Sequence, residues 1–331
     1  MQEGGQRKMK NIRLFFAVIV ALFGFSSAVF AQRIDKPLVL PGRYDEHRFF
    51  VEPITVGGTK LNFFTDTGGG LFIFADVAQN LKIPVENIKA DGGRSFEIVA
   101  LPPFIDAFSI PAPLGSPGEK LSVVPPAQRN FLSRNWSGML GQQWFAGRVW
   151  TFDYLKKRLL LRAAGDLPKS KPENKIPLGF KIDGSGKRST NFPRITVTID
   201  GETLDLLFDT GASTELNDAA LQILKDKRPA IRATSFITAG VFERWRKAHP
   251  DWRVVENAEK QSNAAMIEVP EIKIGGYRTG AVWFTVRPDK NFHEYMSQWM
   301  DKRIEGAIGG NALRHFRITV DYPNALAVFE K

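Results

Sequence analysis

Two stretches of the chain read almost alike: Leu61-Asn62-Phe63-Phe64-Thr65-Asp66-Thr67-Gly68 and Leu204-Asp205-Leu206-Leu207-Phe208-Asp209-Thr210-Gly211. Each is an apolar run that ends in Asp-Thr-Gly. One such tripeptide in a chain of 331 residues carries little information, because an Asp behind a strand commonly caps a turn. Two copies, each closing a hydrophobic strand in a matching half, predict a pair of carboxylates brought together by pseudo-two-fold symmetry.

The repeat extends outward. Eight residues before each Asp stands a glycine, Gly58 and Gly201, in the tight-turn pairs Gly57-Gly58 and Asp200-Gly201. Alternating apolar positions precede both turns: Phe50, Ile54 and Val56 in one half, Ile195, Val197 and Ile199 in the other. Each half therefore reads strand, tight turn, strand, Asp-Thr-Gly. Downstream, Gly138-Met139-Leu140-Gly141 mirrors Gly306-Ala307-Ile308-Gly309, and Asp153-Tyr154 and Asp321-Tyr322 follow the second glycine of each by twelve residues. A proline precedes those glycines by 39 residues in both halves, Pro102 and Pro270. The halves differ mainly between Asp and Pro, 36 residues against 61, and the spacing places an insertion near 236–265. A repeat of this length is a duplicated lobe, not a solenoid unit.

These residues resemble the aspartic peptidases of the pepsin-like and retropepsin-like superfamily, in which an apolar strand ends in Asp-Thr/Ser-Gly and two hydrophobic residues and a Gly follow later. Here that later element is Met139-Leu140-Gly141 and Ala307-Ile308-Gly309, and the resemblance covers about residues 45 to 331. It implies a mainly β, bilobal acid-protease fold, with two duplicated β lobes and a cleft between them. It implies Asp66 and Asp209 as the catalytic pair, Thr67 and Thr210 as residues that bond across the lobe interface, and Gly68 and Gly211 as points of close packing. Ser213 is a further support of the second loop. The family's substrate-covering hairpin falls near Arg94–Val99, behind the turn signal Asp91-Gly92-Gly93. It is short here and lacks the usual lid tyrosine, so Phe96 is either a candidate substrate cover or a buried structural residue. The sequence departs from many two-lobed relatives at Gly69 and Ala212, where Ser or Thr is usual, and at the polar Thr65.

Composition bounds the rest. Lys8, Lys10 and Arg13, the apolar run Leu14–Phe25 and the small residues Ala28-Val29-Phe30-Ala31 read as a signal peptide over 1–31, cleaved near Ala31. The apolar run is short for a membrane span, although an uncleaved anchor is the other reading. The expected protein is exported, periplasmic or secreted, with no integral membrane span in the mature chain. The first lobe spans 32–164, a polar, proline-bearing linker 165–177, and the second lobe 178–331. No cysteine is present, so thiolate metal sites and disulfides are excluded, and the four histidines lack metal-ligand spacing. Without residues 1–31 the net charge falls from +10 to +7, since four Lys/Arg and one Glu leave. The remaining basic residues are scattered among acids, which argues against nucleic acid as a partner. Helices are expected at Ala75–Leu81 and Asn217–Lys225, the second capped by Asn217 or Asp218. In the second-lobe insertion, Trp245 and Trp252 with their neighbouring arginines suit a helix packed on the lobe, a surface for an anionic polymer or membrane, or a substrate lid. Asn135-Trp136-Ser137 is an incidental glycosylation match, and Gly184-Ser185-Gly186 reads as a loop.

The expected chemistry follows from the pair. Two carboxylates held close together cannot both ionise, so one keeps a proton while the other stays charged. This is the known pattern of the aspartic-protease dyad as a class. The sequence thus predicts a monomeric aspartic endopeptidase that hydrolyses peptides or unfolded protein with a water activated between Asp66 and Asp209, with no metal or cofactor. The competing expectation is a catalytically silent relative that holds peptide or cell-envelope polymer in the cleft. An oligomeric interaction module has less behind it.

Overall fold

Strand formation follows the period-two pattern of the sequence. In Arg194–Ile199 the buried residues Ile195, Val197 and Ile199 alternate with half-buried Arg194, Thr196 and Thr198, so one face enters the core. This strand turns at Asp200-Gly201, whose φ values are 51° and 76°, and returns antiparallel as Glu202–Phe208. Positive φ at both central residues is what a two-residue hairpin with the right twist requires. The first half repeats the arrangement: Arg48–Val51 pairs with Phe63–Thr65, and Gly58 has φ 83° in the turn between them. These features come from a computed structural model that describes residues 36–89, 95–106 and 110–331. The stretch read as a signal peptide and the turn Asp91-Gly92-Gly93 lie outside the described residues. Among the described residues, no helix is long and apolar enough to cross a membrane.

The two halves then match pairing by pairing. Each Asp-bearing strand runs parallel to the strand of the later glycine motif, Phe63–Thr65 beside Gly138–Leu140 and Glu202–Phe208 beside Gly306–Ile308. That later strand pairs antiparallel with Phe72–Phe74 in the first half and Ser235–Thr238 in the second. Those in turn lie parallel to Leu121–Val124 and Val282–Arg287. Among the described residues the first half builds an eight-stranded sheet and the second a nine-stranded one. This is the mainly β, bilobal fold of the pepsin-like proteins.

The register relocates the extra length of the second half. Phe72 opposes Met139 and Phe236 opposes Ala307, so Phe72 and Phe236 are equivalent. Phe72 lies six residues after Asp66, whereas Phe236 lies twenty-seven after Asp209. Most of the additional chain therefore sits between Asp209 and Phe236, not near 236–265 as the spacing of the prolines suggested. It contains the strand Ser213–Glu215, the helix Asp218–Leu224 and the strand Ile231–Ala233, which pairs back on the first. Asn217 caps the helix, accepting the Ala220 N–H at 2.9 Å. The helix Ala239–Ala248, which falls in the stretch first read as inserted, is instead the counterpart of Ala75–Asn80 behind the equivalent strand. It buries Val241, Phe242 and Trp245, with the Trp245 ring 5.4 Å from Phe284 and 6.0 Å from Trp252. Of the three readings of this Trp-bearing segment, packing on the lobe is the one the structure shows.

A six-stranded sheet joins the halves. Its centre is the antiparallel pair Val149–Asp153 and Arg317–Asp321, in which Thr151 faces its own counterpart Thr319 with 2.8 Å between the hydroxyls. The pseudo-two-fold axis passes between these two side chains. Lys175–Pro177, part of the stretch read as a linker, forms an edge strand of this sheet against Leu326–Glu330. Above it, fully buried Phe152 lies 6.0 Å from Phe49, 5.5 Å from Phe145 and 5.9 Å from Phe208, so one ring ties both halves. Phe152→Ala should lower stability by about 3–5 kcal/mol, the usual cost of a buried Phe cavity, measured by guanidinium unfolding.

Candidate active site

Each Asp-Thr-Gly emerges from its strand under the control of the later glycine motif. The Asp66 N–H donates to the Leu140 carbonyl at 3.1 Å, and the Asp209 N–H donates to that of Ile308 at 3.0 Å. The loops then fold back on themselves. Gly68 N–H donates to Asp66 Oδ1 at 2.8 Å, and Gly211 N–H to Asp209 Oδ1 at 3.1 Å. Gln142 N–H reaches the Gly69 carbonyl and Thr234 N–H reaches that of Ala212, each binding the loop to its own lobe.

The threonines cross the interface. Thr67 Oγ1 donates to the Phe208 carbonyl at 2.5 Å and accepts the Thr210 N–H at 3.0 Å, while Thr67 N–H donates to Thr210 Oγ1 at 3.2 Å. Both side chains are fully buried. The glycines allow the approach: a Cβ at Gly68 would stand 2.7 Å from the Asp209 carboxyl carbon, and one at Gly211 would stand 2.2 Å from that of Asp66. Neither position admits any other residue without moving the opposing Asp. Asp66 and Asp209 are consequently in hydrogen-bond contact with each other.

Burial pushes both carboxyls above their ordinary range. For Asp209 the charge of Asp66 adds to burial and holds it well above that range. For Asp66 the hydrogen bond from its partner and the Gly68 and Gly211 N–H groups pull in the other direction. The pair therefore retains a proton under conditions where isolated carboxyls are ionised, and its titration belongs to both residues.

Other expected residues occupy defined places. Ser213 does not face a carboxylate; its hydroxyl donates to the Gly211 carbonyl at 2.8 Å and braces the loop. Thr65 is fully buried and donates to the Phe49 carbonyl at 2.8 Å, so its polarity serves the strand rather than the site. Phe96 sits on the strand Ser95–Val99, opposite Ile88 of Glu86–Lys89, near the edge of the first sheet. It is 44 % exposed, which sets aside the buried structural reading.

Three residues escaped sequence reasoning. A Cβ at Gly69 would lie 2.5 Å from Met139 Sδ and 2.7 Å from Asp66 Oδ2. Met139 thus fills the space where a side chain after the first Asp-Thr-Gly would sit. In the second half the equivalent positions are Ala212 and Ala307, a small–small pair in place of a none–large one. That exchange was the available signal. Tyr154 and Tyr322, noted only as landmarks, are buried with hydroxyls that lack a hydrogen-bond partner among the described residues. Burial, with the Asp66 charge as a lesser cause, raises both phenols.

Beside Ser213 the lobes part around a cavity of about 860 Å³. Phe131 and Leu132 line it from the first lobe, and Ala264, Val286 and Pro288 from the second. It is large enough for extended chain segments with bulky apolar side chains.

No protein-family model matches this chain, and no curated protein matches it. Among solved structures it is similar to conglutin gamma, a basic 7S globulin from lupine seeds, at 11 % identity over 89 % of this chain and 95 % of that one, with a TM-score of 0.44. It is also similar to basic 7S globulin from soybean, at 10 % identity over 89 % and 94 %, with a TM-score of 0.45. Neither similarity carries a function across.

Two outcomes follow for stability. Thr67→Val should cost about 2–4 kcal/mol, because the Phe208 carbonyl and Thr210 N–H are left unpaired inside the interface, while Thr67→Ser should lose far less in the same chemical-denaturation experiment. Asp209→Asn should stabilise the protein at neutral pH. A carboxyl raised by folding binds its proton more tightly in the folded state, so its favourable contribution is complete below about pH 3.9 and is lost as pH rises through the folded value. The variant should therefore melt at least about 2 °C above wild type at pH 7, with the gain vanishing toward pH 3.

Proposed function

We propose that the chain is an aspartic endopeptidase, and the observation that carries this reading is the contact between two carboxyls, half-buried Asp66 of one lobe and buried Asp209 of the other. The charged carboxylate takes a proton from a water held between the pair. The water oxygen attacks the peptide carbonyl carbon, and the protonated carboxyl gives its proton to the carbonyl oxygen. Collapse of the tetrahedral species breaks the C–N bond: the nitrogen leaves with a proton from the dyad, and a hydroxyl of the tetrahedral diol returns its proton to the dyad as the C=O re-forms, so the dyad ends with the protonation state it began with. The chemistry requires no cofactor. The largely apolar cavity beside Ser213 supports peptides or unfolded segments in extended form as substrates, with apolar side chains seated in it. Phe96, exposed on its hairpin, is the proposed cover in place of a lid tyrosine. Export to the periplasm or outside the cell, after removal of residues 1–31, completes the proposal.

The absence of a hydroxyl at Gly69 has a consequence for pH. A donor there would favour the charged form of Asp66; without it, burial dominates and the pair titrates higher. Activity should rise as pH passes upward through the pair's first ionisation, above the ordinary carboxylate range, and fall when the second proton leaves. The test is cleavage of a mixed peptide library from pH 3 to 8 by protein lacking residues 1–31, beside Asp66→Asn and Asp209→Asn. Both variants should lose at least about 10³-fold. A folded wild type that cleaves nothing across this range would overturn the enzyme reading in favour of a cleft that only binds.

A further inference from the structure

The extra segment of the second lobe creates a corner of the molecule with more positive charge than its carboxylates match. Arg228, Arg232, Arg253 and Arg314 line one cavity of about 270 Å³, together with Trp283 and Met266. Three of these arginines are matched. Arg228 forks onto Glu46 at 2.9 and 2.6 Å, Arg232 holds Asp226 at 2.5 Å, and Arg253 holds Glu268 at 3.0 Å. Arg314 is different. Its guanidinium meets His315 Nε2 at 3.2 Å and His47 Nε2 at 3.5 Å, and among the described residues no carboxylate lies within ion-pair distance.

The surroundings of Arg314 add to the imbalance. Arg228 repels it, and Glu46, already forked by Arg228, is the acid whose charge reaches it. Both neighbouring histidines are held neutral: burial first, then Arg228 and Arg314, depress His47 to about 3, and burial and Arg314 depress His315. A half-buried guanidinium ordinarily finds an anionic acceptor, because it loses water on burial and keeps its charge, and the neutral imidazoles that accept from Arg314 bring no negative charge. Its planar fork matches the two oxygens of a carboxylate or phosphate.

We propose that this cavity binds a small organic oxyanion, its carboxylate or phosphate head on Arg314 and its apolar body against Trp283 and Met266. The site is separate from the carboxyl pair and does not depend on the proposed peptidase activity. It also touches the contact between lobes: Arg228 and Ala233, which line the cavity, hold Glu46 of the first lobe through its carboxylate and its carbonyl. An occupant would therefore fix the lobes' relative position as well as neutralise Arg314.

Thermal unfolding of the full chain should be followed with inorganic phosphate, benzoate and phenyl phosphate, each against sodium chloride at equal ionic strength. Benzoate or phenyl phosphate should raise the melting temperature saturably beyond the chloride control, and the stronger of the two identifies the head group. The effect should disappear in Arg314→Gln and in Ala281→Phe, which fills the cavity from its rim. It should persist in Arg244→Gln, an exposed arginine paired with Glu202. Ring resonances of His315 should shift on binding in the wild type, a readout that survives if one variant fails to fold. No rise beyond chloride, a rise with inorganic phosphate alone, or an equal rise in folded Arg314→Gln or Ala281→Phe would overturn the proposal.

Discussion

Everything at the centre of this protein depends on two like-charged groups being held where they would not stay by choice. Asp66 and Asp209 repel when ionised and lose hydration when buried. They remain together because the surrounding bonds are insensitive to that cost: the Thr67–Phe208 and Thr210–Thr67 bonds, and the N–H groups of Gly68 and Gly211. The backbone is the frame and the carboxyls are its passengers. Beneath them, Thr151 against Thr319 and the ring of Phe152 extend the same join into the shared sheet. A site that stores unfavourable electrostatics needs such a rigid support, which is why the fully buried hydroxyls of the interface lie on the symmetry axis.

Much of this was legible in the sequence because duplication makes its own control. Asp66 with Asp209, Thr67 with Thr210 and Gly68 with Gly211 each occur twice in the same context, and a chance match does not repeat its neighbours. The alternation before Gly58 and Gly201 gave the strands, and Met139-Leu140-Gly141 with Ala307-Ile308-Gly309 gave the strands that run parallel to them. What the sequence misplaced was the position of the extra segment. Proline and glycine landmarks bound an interval but do not say where in it the chain departs; only the opposition of Phe236 to Ala307 does. The roles of Met139 and Thr65 were illegible for a different reason, since both depend on a partner supplied by another strand.

The extra segment also breaks the symmetry that the rest of the chain preserves. It gives the second half a hairpin and a helix without counterpart in the described part of the first, and it uses them to grip the first half. Glu46, at the tip of the strand pair Gly42–Asp45 and Arg48–Val51, is held by Arg228 and by Ala233 N–H at 3.2 Å. The carbonyl of His47 rests where a Cβ on Gly310 would come within 2.1 Å. Two identical first halves lack this clasp, so the present molecule is committed to its pairing of unlike lobes.

The interleaving of the shared sheet bears on when the site comes into being. Arg317–Asp321 lies between Val149–Asp153 and Leu326–Glu330, and Leu326–Glu330 in turn seats Lys175–Pro177. Of these, Arg317–Asp321 and Leu326–Glu330 are made long after both Asp-Thr-Gly segments have left the ribosome. A nascent chain that already carries Asp66 and Asp209 still lacks the strand that brings their lobes together, as well as Ile308, whose carbonyl holds the Asp209 backbone. Chain order thereby acts as a clock: the carboxyls meet only after translation has passed the second glycine motif, and a truncated product contains both acids without containing the pair.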